Sequence, residues 1–501
     1  MNKKVRKVTS YFSVRKRLSE HEDDDVIDGL GKRLKTDARI TDDHPDQSVP
    51  SAYDKENVDP RTATTTTTPR KRAGNKLQQN GKATAAVHSL ILPDKPSDIG
   101  AFSRLPPEMV VYFFGQTEIR TLVTLSLTSH RVRELLLAYV SLGEGRRRFS
   151  KETKADIVDA DKYTARDSFT NWGSLFKSLT CAYPTCKRIE IVQKFYINNR
   201  VVDNKAGWGR LFLKMTTSWD FGECAKVLNA VLQFDDGLLQ RTIDLVLKEP
   251  LGSRKEDEMR VRETLRATFL DHKFADVRDF PFWISALLRT RRTVEEQARL
   301  LMLLYAPTRV VDEKTEIDWK SLCDVAVTTL SDGQKRVAPF ATAINALLLT
   351  SSHNIRGYQW CEHEVFAMIE EVTTLPEPWA LDNFSALMLF RPALGPIALV
   401  SRCLHTYEVE AGQIVNTMKT LAYRWRLSPA LSMAQPLLAT LQKLPLLDTR
   451  RIFYEAINAA RQARVADLIF DNSPNTRREL QDENNSAAYF APVLNMLLPH
   501  I

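Results

Sequence analysis

Two short clusters in the sequence contain residue types that commonly bind metal ions. Cys181 and Cys186 could hold zinc, but a structural zinc site needs a second pair of ligands, and the sequence offers none at a suitable spacing. The run CEHE at 361–364 places possible ligands at consecutive positions, and consecutive residues of a helix do not share a face. We therefore predict no bound metal and no cofactor.

Two other clusters contain residue types that support catalysis or phosphate binding elsewhere. Asp271 precedes His272, and a carboxylate beside a histidine can change the charge state of the imidazole. No nucleophile can be assigned to this pair from the sequence. The run GWG at 207–209 lacks the spacing of a phosphate-binding loop. The sequence therefore predicts a protein that is not an enzyme.

The composition is typical of a globular protein without membrane-spanning segments. The chain has 501 residues, of which 43% are hydrophobic and 26% charged, enough for two or three domains. No apolar run is long enough to cross a bilayer, and the basic N-terminus is not followed by the apolar segment of a secretion signal. Six scattered cysteines without a disulfide-like spacing indicate a reducing compartment, the cytosol or the nucleus.

Residues 1–95 differ from the remainder in charge. They hold 19 Lys and Arg against 14 Asp and Glu, so five of the eight net positive charges lie there, and apolar clusters are few. Such a segment cannot bury enough apolar surface to offset the entropy of ordering it, so we predict a disordered, basic regulatory tail. Three basic clusters in the tail are of the kind that nuclear import receptors bind. These clusters are Lys3, Lys4, Arg6 and Lys7, then Arg15-Lys16-Arg17, and Arg70-Lys71-Arg72.

The tail also contains two short signals of the cell cycle. Lys55-Glu56-Asn57 resembles the degradation signal read by the anaphase-promoting complex. Thr68, which precedes a proline, matches the consensus of cyclin-dependent kinases. A phosphate on Thr68 would place negative charge beside the basic cluster at 70–72 and would mask an import signal. The tail is thus predicted to govern location and lifetime.

The segment at 102–140 carries three amphipathic helical patterns in succession. Pro107 suits the first position of a helix because its φ is preset, and Met109, Tyr112 and Phe113 then share one apolar face. Helices this short cannot bury much core among themselves. Part of their apolar surface is therefore predicted to contact a partner.

Two residues in the same segment are suited to capping the second and third helices. Thr117 is the expected N-cap of a helix that presents Leu122 and Val123, and Ser129 is the expected N-cap of the helix that follows. Together the patterns predict three helices joined by short turns.

This segment resembles an F-box. The resemblance lies in Leu105-Pro106 with Glu108, the aromatic and aliphatic helix that follows, and the run LSLTS at 125–129. F-box proteins dock onto the small Skp adaptor of cullin-based ubiquitin ligases, so the resemblance implies a Skp-type adaptor and a cullin as partners. The residues expected to contact the adaptor are Leu105, Pro106, Glu108, Met109, Tyr112, Phe113, Leu122 and Leu125.

Beyond a polar connector at 141–165, the sequence is a succession of helical patterns. Strand signals are sparse, and the best candidate runs from Arg188 to Ile197. Comparison of the segments shows no fixed period, which predicts an irregular, solenoid-like helical array and argues against a common repeat receptor. The expected organisation is a tail at 1–95, an F-box at 102–140, the connector at 141–165 and a substrate-binding helical body at 166–501.

Scattered residues of the body are similar in order and spacing to the F-box only protein 47 family. They are Trp219-Asp220 with Cys224, Leu270-Asp271-His272, Phe282-Trp283, the run at 297–301, and Trp379 with Leu387-Met388-Leu389. The family is associated with germline cells and meiotic prophase, and it includes a nematode F-box protein that promotes homologue pairing. The resemblance implies a common fold and a role in meiosis.

These observations predict an all-α, nuclear substrate receptor of a Skp–cullin–F-box ubiquitin ligase, present also in the cytoplasm, with an unknown protein as its substrate. Import receptors and the anaphase-promoting complex are the further partners expected for the tail. The alternative is a chromatin-associated scaffold that uses the basic tail and does not use the F-box for ubiquitination. Direct binding of nucleic acid is not predicted, because the acidic run at 22–25 interrupts the basic clusters and no aromatic stacking platform accompanies them.

Overall fold

Helices make up most of the described part of the chain. The computed structural model describes residues 100–156, 167–200, 202–272, 279–470 and 476–501. The N-terminal elements are a 3-10 turn (Gly100–Arg104), α1 (Pro107–Gln116), α2 (Ile119–Ser126), α3 (His130–Ser141) and α4 (Gly143–Asp156). The predicted all-α fold class is confirmed. The tail at 1–95 lies outside the described residues.

The body continues the helical chain with one small hairpin. Its first half comprises α5 (Ser168–Thr180), α6 (Thr185–Asn199), α7 (Lys205–Thr216), α8 (Phe221–Leu232), α9 (Phe234–Lys248), α10 (Lys255–Leu265), a π-helical turn (Arg266–Leu270), α11 (Asp279–Arg289), α12 (Val294–Tyr305), β1 (Thr308–Val311) and β2 (Lys314–Ile317). Its second half comprises α13 (Ser321–Asp324), α14 (Leu330–Arg336), α15 (Ala338–Ser352), α16 (Glu362–Val372), α17 (Leu381–Phe390), α18 (Leu394–Leu404), α19 (Glu408–Arg424), a π-helical turn (Ala430–Ala434), α20 (Gln435–Lys443), α21 (Leu447–Phe470), α22 (Thr476–Leu497) and a 3-10 turn (Leu498–His500).

Alternate helices of the body stack in two rows. One row runs α11, α15, α17, α19 and α21, and the other runs α12, α16, α18 and α20, each helix packing on the next in its row. A helix pair of this kind cannot bury its apolar face alone, and stacking on neighbours creates a continuous core. The arrangement is the predicted solenoid.

The N-terminal helices extend the first row. Helix α2 packs on α5, α5 packs on α7, and α7 packs on the π-helical turn, which in turn contacts α11. Gly173 of α5 allows a close approach, because a Cβ atom there would lie 2.7 Å from the carbonyl oxygen of Leu211 in α7. The N-terminal helices are thus held rigidly against the body.

The polar connector expected at 141–165 is a packed helix over Gly143–Asp156. Phe149 is completely buried, and its ring centroid lies 4.9 Å from that of Phe195 and 5.2 Å from that of Trp172. One face of the helix therefore enters the aromatic core, although most of its residues are polar. The sequence does not show this packing, because a single buried aromatic residue leaves almost no periodic signal, and residues 157–165 lie outside the described part of the chain.

The strand expected from Arg188 to Ile197 is wrong, since these residues lie within α6. Val192, Phe195 and Asn199 of that helix face the core at helical spacing, so packing outweighs the strand propensity of the segment. Within the described residues the strands are β1 and β2, which form an antiparallel pair. A turn at Asp312 and Glu313, with φ of 48° and 63°, connects them. Positive φ at both central residues is typical of a tight hairpin turn.

Buried charges lie between the rows of the solenoid. Nη2 of Arg402 lies 2.6 Å from Oε1 of Glu370, and both side chains are almost completely buried. Nε of Arg402 also faces Oε1 of Glu410 at 3.7 Å. Burial raises the pKa of Glu410 to about 7. The negative charge of Glu370 raises this pKa further, whereas the positive charge of Arg402 lowers it. One cation thus faces two carboxyl groups.

Replacing Glu410 with glutamine should change how stability depends on pH. Because the folded-state pKa of about 7 lies above the ordinary value of 4.5, the folded chain binds this proton more tightly than the unfolded chain. The stability that this group contributes is complete below about pH 4.5 and is lost as the pH rises through about 7. At pH 8 the Glu410→Gln variant should exceed the original chain in free energy of unfolding by about 1–3 kcal/mol.

Urea unfolding at pH 5, 6, 7 and 8 measures this difference. Glu455→Gln is the control, because Glu455 is largely exposed on α21. The control should follow the original chain at every pH. If the free energies of unfolding of the original chain and of Glu410→Gln changed with pH in the same way, the raised pKa of Glu410 would be contradicted.

Candidate functional site

An exposed apolar face lies on α1 and the residues that lead into it. Leu105, Met109, Tyr112 and Phe113 are 37%, 50%, 62% and 41% exposed. The three helical residues follow one another at the spacing that places them on one face. Large apolar side chains clustered in this way on a surface are characteristic of a binding site for another protein. We call these four residues, with Pro106 and Glu108, the adaptor face.

The opposite side of α1 explains why the adaptor face stays exposed. Val110 and Phe114 are buried, and the ring centroid of Phe114 lies 5.7 Å from that of Tyr139 on α3. The helix therefore has two apolar sides, and among the described residues only the side of Val110 and Phe114 is buried. Met109, Tyr112 and Phe113 are exposed on the other side of the helix, and their contact with a partner stays a prediction.

The chain that enters α1 is ordered by local contacts. The ring centroid of Phe102 lies 5.5 Å from that of Phe113, and the backbone N–H of Leu105 donates to the carbonyl oxygen of Phe102 at 3.1 Å. Pro107 occupies the first helical position, as expected. Glu108 is exposed in the first turn, where a carboxylate complements the helix dipole. Leu105 and Pro106 are thereby presented in a defined conformation.

The predicted caps have different outcomes. Ser129 caps α3, because its hydroxyl oxygen accepts a hydrogen bond from the backbone N–H of Val132 at 3.1 Å. Thr117 does not cap α2. Its hydroxyl donates to the carbonyl oxygen of Phe113 at 2.7 Å and so ends α1, and Glu118 precedes α2.

Two residues expected at the adaptor face lie elsewhere. Leu122 is completely buried, and Leu125 is half-buried against the core, because α2 turns this side towards α5. Contact between Leu122 and an adaptor is therefore excluded in this conformation. Sequence reasoning instead overlooked Leu127, which is 60% exposed just after α2. Its place in the F-box-like run at 125–129 was the available signal.

Helix α4 ties the adaptor face to the body. Nη1 of Arg148 donates to the carbonyl oxygen of Phe114 at 2.7 Å, near the end of α1. Nε of Arg148 donates to Glu152 at 2.7 Å, and Glu152 also accepts from Nε1 of Trp172 on α5 at 2.8 Å. A continuous set of hydrogen bonds thus joins α1, α4 and the first helix of the body.

The metal-like clusters have structural roles. The run at 361–364 begins α16, where a carboxylate oxygen of Glu364 accepts from the backbone N–H of Cys361 at 3.0 Å and another accepts from Arg289 at 2.9 Å. Cys181 and Cys186 are exposed free thiols. Across the described residues, no group of three or more His, Cys, Asp or Glu side chains is placed to hold a metal ion.

The other candidate clusters also serve packing. Asp271 pairs with Arg266 at 3.0 Å, and burial lowers the pKa of His272, whose Nε2 lies 3.2 Å from the carbonyl oxygen of Thr268. In the run at 207–209, Gly207 lies against the ring of Phe169, where a side chain would overlap it. Gly207 thereby allows α7 to pack closely on α5.

Thiol chemistry is disfavoured at two of the buried cysteines. Burial raises the pKa of the Cys224 thiol to about 12 and that of the Cys403 thiol to about 12. A nucleophilic cysteine needs the opposite shift.

Several predicted sites lie outside the described residues. These are Lys55, Glu56 and Asn57, the candidate phosphosite Thr68, and the basic clusters Arg15, Lys16, Arg17, Arg70, Lys71 and Arg72. Among the helices that are described, none is both long and apolar enough to cross a membrane.

Comparison with known proteins identifies the family. The family model described as FBXO47, ARM repeats matches residues 235–501. The chain belongs to the F-box only protein 47 family. Mouse F-box only protein 47 is 25% identical over 311 residues, which cover 59% of this chain and 65% of the mouse protein. Human F-box only protein 47 is 24% identical over 307 residues, which cover 58% of this chain and 64% of the human protein.

The chain thus spans slightly under two thirds of the length of these two relatives. No solved structure matches it. The ARM-repeat description corresponds to the two stacked rows of helices in the body. The expectation that the body is not a common repeat receptor was therefore wrong, because helices of unequal length and an inserted hairpin hide the period.

Proposed function

We propose that this member of the F-box only protein 47 family is the substrate-recognition subunit of a Skp–cullin–F-box ubiquitin ligase. The observation that carries the proposal is the adaptor face, an apolar surface on α1 whose large side chains remain 37–62% exposed, although Phe113 also contacts Phe102. Its opposite side is joined through α4 to a long helical solenoid, a form that offers an extended surface for binding proteins.

In this proposal the chain catalyses nothing itself. The adaptor face holds the ligase and the solenoid holds the substrate, so substrate lysines stay at a high effective concentration near activated ubiquitin. The direct packing of α2 on α5 keeps the two binding surfaces at a fixed distance and orientation. Rigid coupling of this kind reduces the entropy cost of bringing the lysine to the reactive bond.

Truncating the adaptor face should abolish tight adaptor binding without unfolding the chain. The test variant is Met109→Ala with Tyr112→Ala, because both side chains are at least half exposed. Truncating one central anchor of an interface costs roughly 2 kcal/mol or more, about thirtyfold in affinity, so the double variant should lose at least this factor in its affinity for a purified Skp-type adaptor. Calorimetry on the full chain measures the affinity, and thermal unfolding should be unchanged.

Val409→Ala with Leu431→Ala is the matched control, since both residues are about two thirds exposed at the other end of the solenoid. The control should bind the adaptor with the original affinity. Unchanged binding by the folded Met109 and Tyr112 variant would refute the proposed adaptor face. Leu122→Ala should lower thermal stability as well, because Leu122 is buried.

We further propose nuclear action in meiotic prophase of germline cells, by ubiquitination of a regulator of homologue pairing or meiotic progression. The support is the resemblance of the body to a family associated with these cells and the import-like clusters at 15–17 and 70–72. Purification of the intact chain from germline nuclei is the test. Recovery of a Skp adaptor and a cullin is expected, and their consistent absence would favour a chromatin-associated scaffold.

Removing residues 1–95 should change where the protein accumulates in the cell and how long it persists there. The thermal stability of the remaining chain should be nearly unchanged. The segment has too few apolar residues to form a core, while it contains basic clusters and Lys55-Glu56-Asn57. Nuclear accumulation should fall and half-life should lengthen where the anaphase-promoting complex is active. Fluorescence imaging and a translation-block chase measure these effects. A large drop in melting temperature would instead show that the tail packs on the body.

A further inference from the structure

A polar cleft of about 630 Å³ lies far from the adaptor face, between the end of α19 and the start of α22. Three arginines line it: Arg424, Arg426 and Arg478. The volume is within the range of about 300–1,000 Å³ that is usual for ligand sites. The positive side chains indicate which chemistry such a ligand would have.

The carboxylates of the cleft are already paired with arginines. Asp482 lies 3.6 Å from Nη2 of Arg424, and Glu479 lies 3.4 Å from Nη2 of Arg464. Arg426 and Arg478 are exposed, and neither guanidinium makes an ion pair or hydrogen bond within the described residues. The cleft therefore retains two guanidinium groups that are free to bind an anion.

The backbone conformation at Arg426 makes glycine a suitable substitution for testing this residue. Helix α19 ends with hydrogen bonds from the N–H of Arg426 to the carbonyl oxygen of Tyr423 and from the N–H of Leu427 to that of Ala422. This is the Schellman ending, in which glycine is favoured at the residue with positive φ. Arg426 has a φ of 55°, a strained value for a side chain with a Cβ atom. An arginine at this position costs some stability relative to glycine, so Arg426→Gly removes the guanidinium without adding backbone strain.

The walls of the cleft are held in place by hydrogen bonds. Nε1 of Trp425 donates to the carbonyl oxygen of Thr328 at 3.3 Å, and the hydroxyl of Tyr489 donates to the carbonyl oxygen of Leu427 at 3.0 Å. Arg426 is thus flanked on both sides by anchored residues. Its guanidinium is presented from a fixed point.

We propose that this cleft binds an anionic segment of the ligase's protein substrate, either a phosphorylated residue or a cluster of carboxylates. Guanidinium groups form paired, charge-assisted hydrogen bonds with both kinds of group. The carboxylates of Asp482 and Glu479 at the same cleft would repel a long polyanion, so a localised charge fits better than a nucleic-acid strand. The inference rests on the proposed function, since it identifies the class of substrate that the solenoid holds.

Fluorescence anisotropy with the full chain tests the proposal. The probes are a labelled serine-rich peptide carrying two phosphoserines, the same peptide unphosphorylated, the same peptide with glutamates at those positions, and a labelled DNA duplex. The phosphopeptide or the glutamate peptide should bind, and binding should weaken with added salt. Preference for the phosphopeptide identifies phosphorylation as the signal. Equal affinity for the two anionic peptides identifies a general acidic segment.

Two variants of the cleft and one control sharpen the test. Arg426→Gln with Arg478→Gln should weaken peptide binding at least tenfold. Arg254→Gln with Arg260→Gln makes the same change of charge at two exposed arginines, one just before α10 and one within it, and should bind as the original chain does. Arg426→Gly should also weaken binding, while its melting temperature stays equal or rises because the strain at positive φ is relieved. Loss of stability therefore cannot account for its loss of binding.

Three results would overturn the proposal. The first is that neither anionic peptide binds at millimolar concentration, and the second is that the cleft variant and the control lose the same factor in peptide affinity. The third is that the DNA duplex binds more tightly than the peptides and does so through the cleft arginines. Adaptor affinity measured on the same proteins separates this proposal from the proposed function. The cleft variants should bind the adaptor normally, and the Met109 and Tyr112 variant should bind the peptides normally. If the original chain binds the adaptor and not the anionic peptides, the anion-binding cleft is wrong. If it binds the peptides and not the adaptor, the proposed ligase function is wrong.

Discussion

Replacing Phe149 with alanine should destabilise the chain by about 3–5 kcal/mol, the usual cost of removing a fully buried aromatic side chain. The ring is completely buried, and four aromatic rings surround it with centroids between 4.9 and 5.6 Å away. Few neighbours can move to fill the cavity, because the same cluster holds α4, α5 and α7 together. Urea unfolding of the full chain, followed by tryptophan fluorescence, measures the loss.

A matched control is available at Phe470, where the same side chain is 84% exposed at the end of α21. Phe470→Ala should change the free energy of unfolding by no more than about 0.5 kcal/mol. If residues 141–165 were a solvated connector, both variants would behave alike. Equal, small effects would therefore contradict the packing of α4.

Replacing Arg402 with methionine should also destabilise the chain by about 3–5 kcal/mol, the usual cost of breaking a buried ion pair from one side. The change leaves Glu370 buried without its cation and removes the group that faces Glu410. It also removes a hydrogen bond of 3.1 Å to the carbonyl oxygen of Ala398 and a stacking contact 4.8 Å from the ring centroid of Phe384. Unfolding in urea at pH 7.5 is the measurement.

Removing both partners distinguishes a lost ion pair from lost packing. Arg402→Met with Glu370→Met leaves no unpaired charge from this pair, so it should be more stable than Arg402→Met alone. Lys443→Met is the surface control, because its ion pair with Glu362 is about half exposed and should contribute at most about 1 kcal/mol. A double variant no more stable than Arg402→Met alone would show that the loss of the arginine's packing, which both variants share, dominates over the unpaired charge of Glu370.

These two sites bear on function through rigidity. Phe149 secures the joint between the adaptor face and the solenoid, whereas Arg402 secures the stacking of α16, α18 and α19 within it. A ubiquitin ligase receptor of the proposed kind needs both, since the substrate must stay at a defined distance from the enzyme that carries ubiquitin.

The short-range features of the F-box segment could be read from the sequence. Pro107 at the start of α1 and Ser129 before α3 act through atoms within one helical turn, so their roles do not depend on the rest of the fold. The exposed face of Met109, Tyr112 and Phe113 was also predictable. The apolar pattern on α1 is wider than the small bundle can bury, and Val110 and Phe114 already fill the inner side.

The sequence could not show which apolar residues face a partner and which face the chain itself. Leu122 has the same helical spacing as a contact residue, but α5 covers it. Phe149 stands alone in a polar run, so its burial depends on rings contributed by residues from 169 to 208. Periodicity identifies an apolar side of a helix and carries no information about what covers that side.

Helical content and the solenoid-like class followed from sequence because amphipathic spacing is a local property. The order of stacking, the rigid joint at α4 and the cleft between α19 and α22 followed only from the tertiary structure. Arg426 and Arg478 lie on separate elements, and their meeting depends on how α22 packs on α19. Contacts between residues far apart in the chain depend on the packing of whole helices, and this packing leaves no local pattern in the sequence.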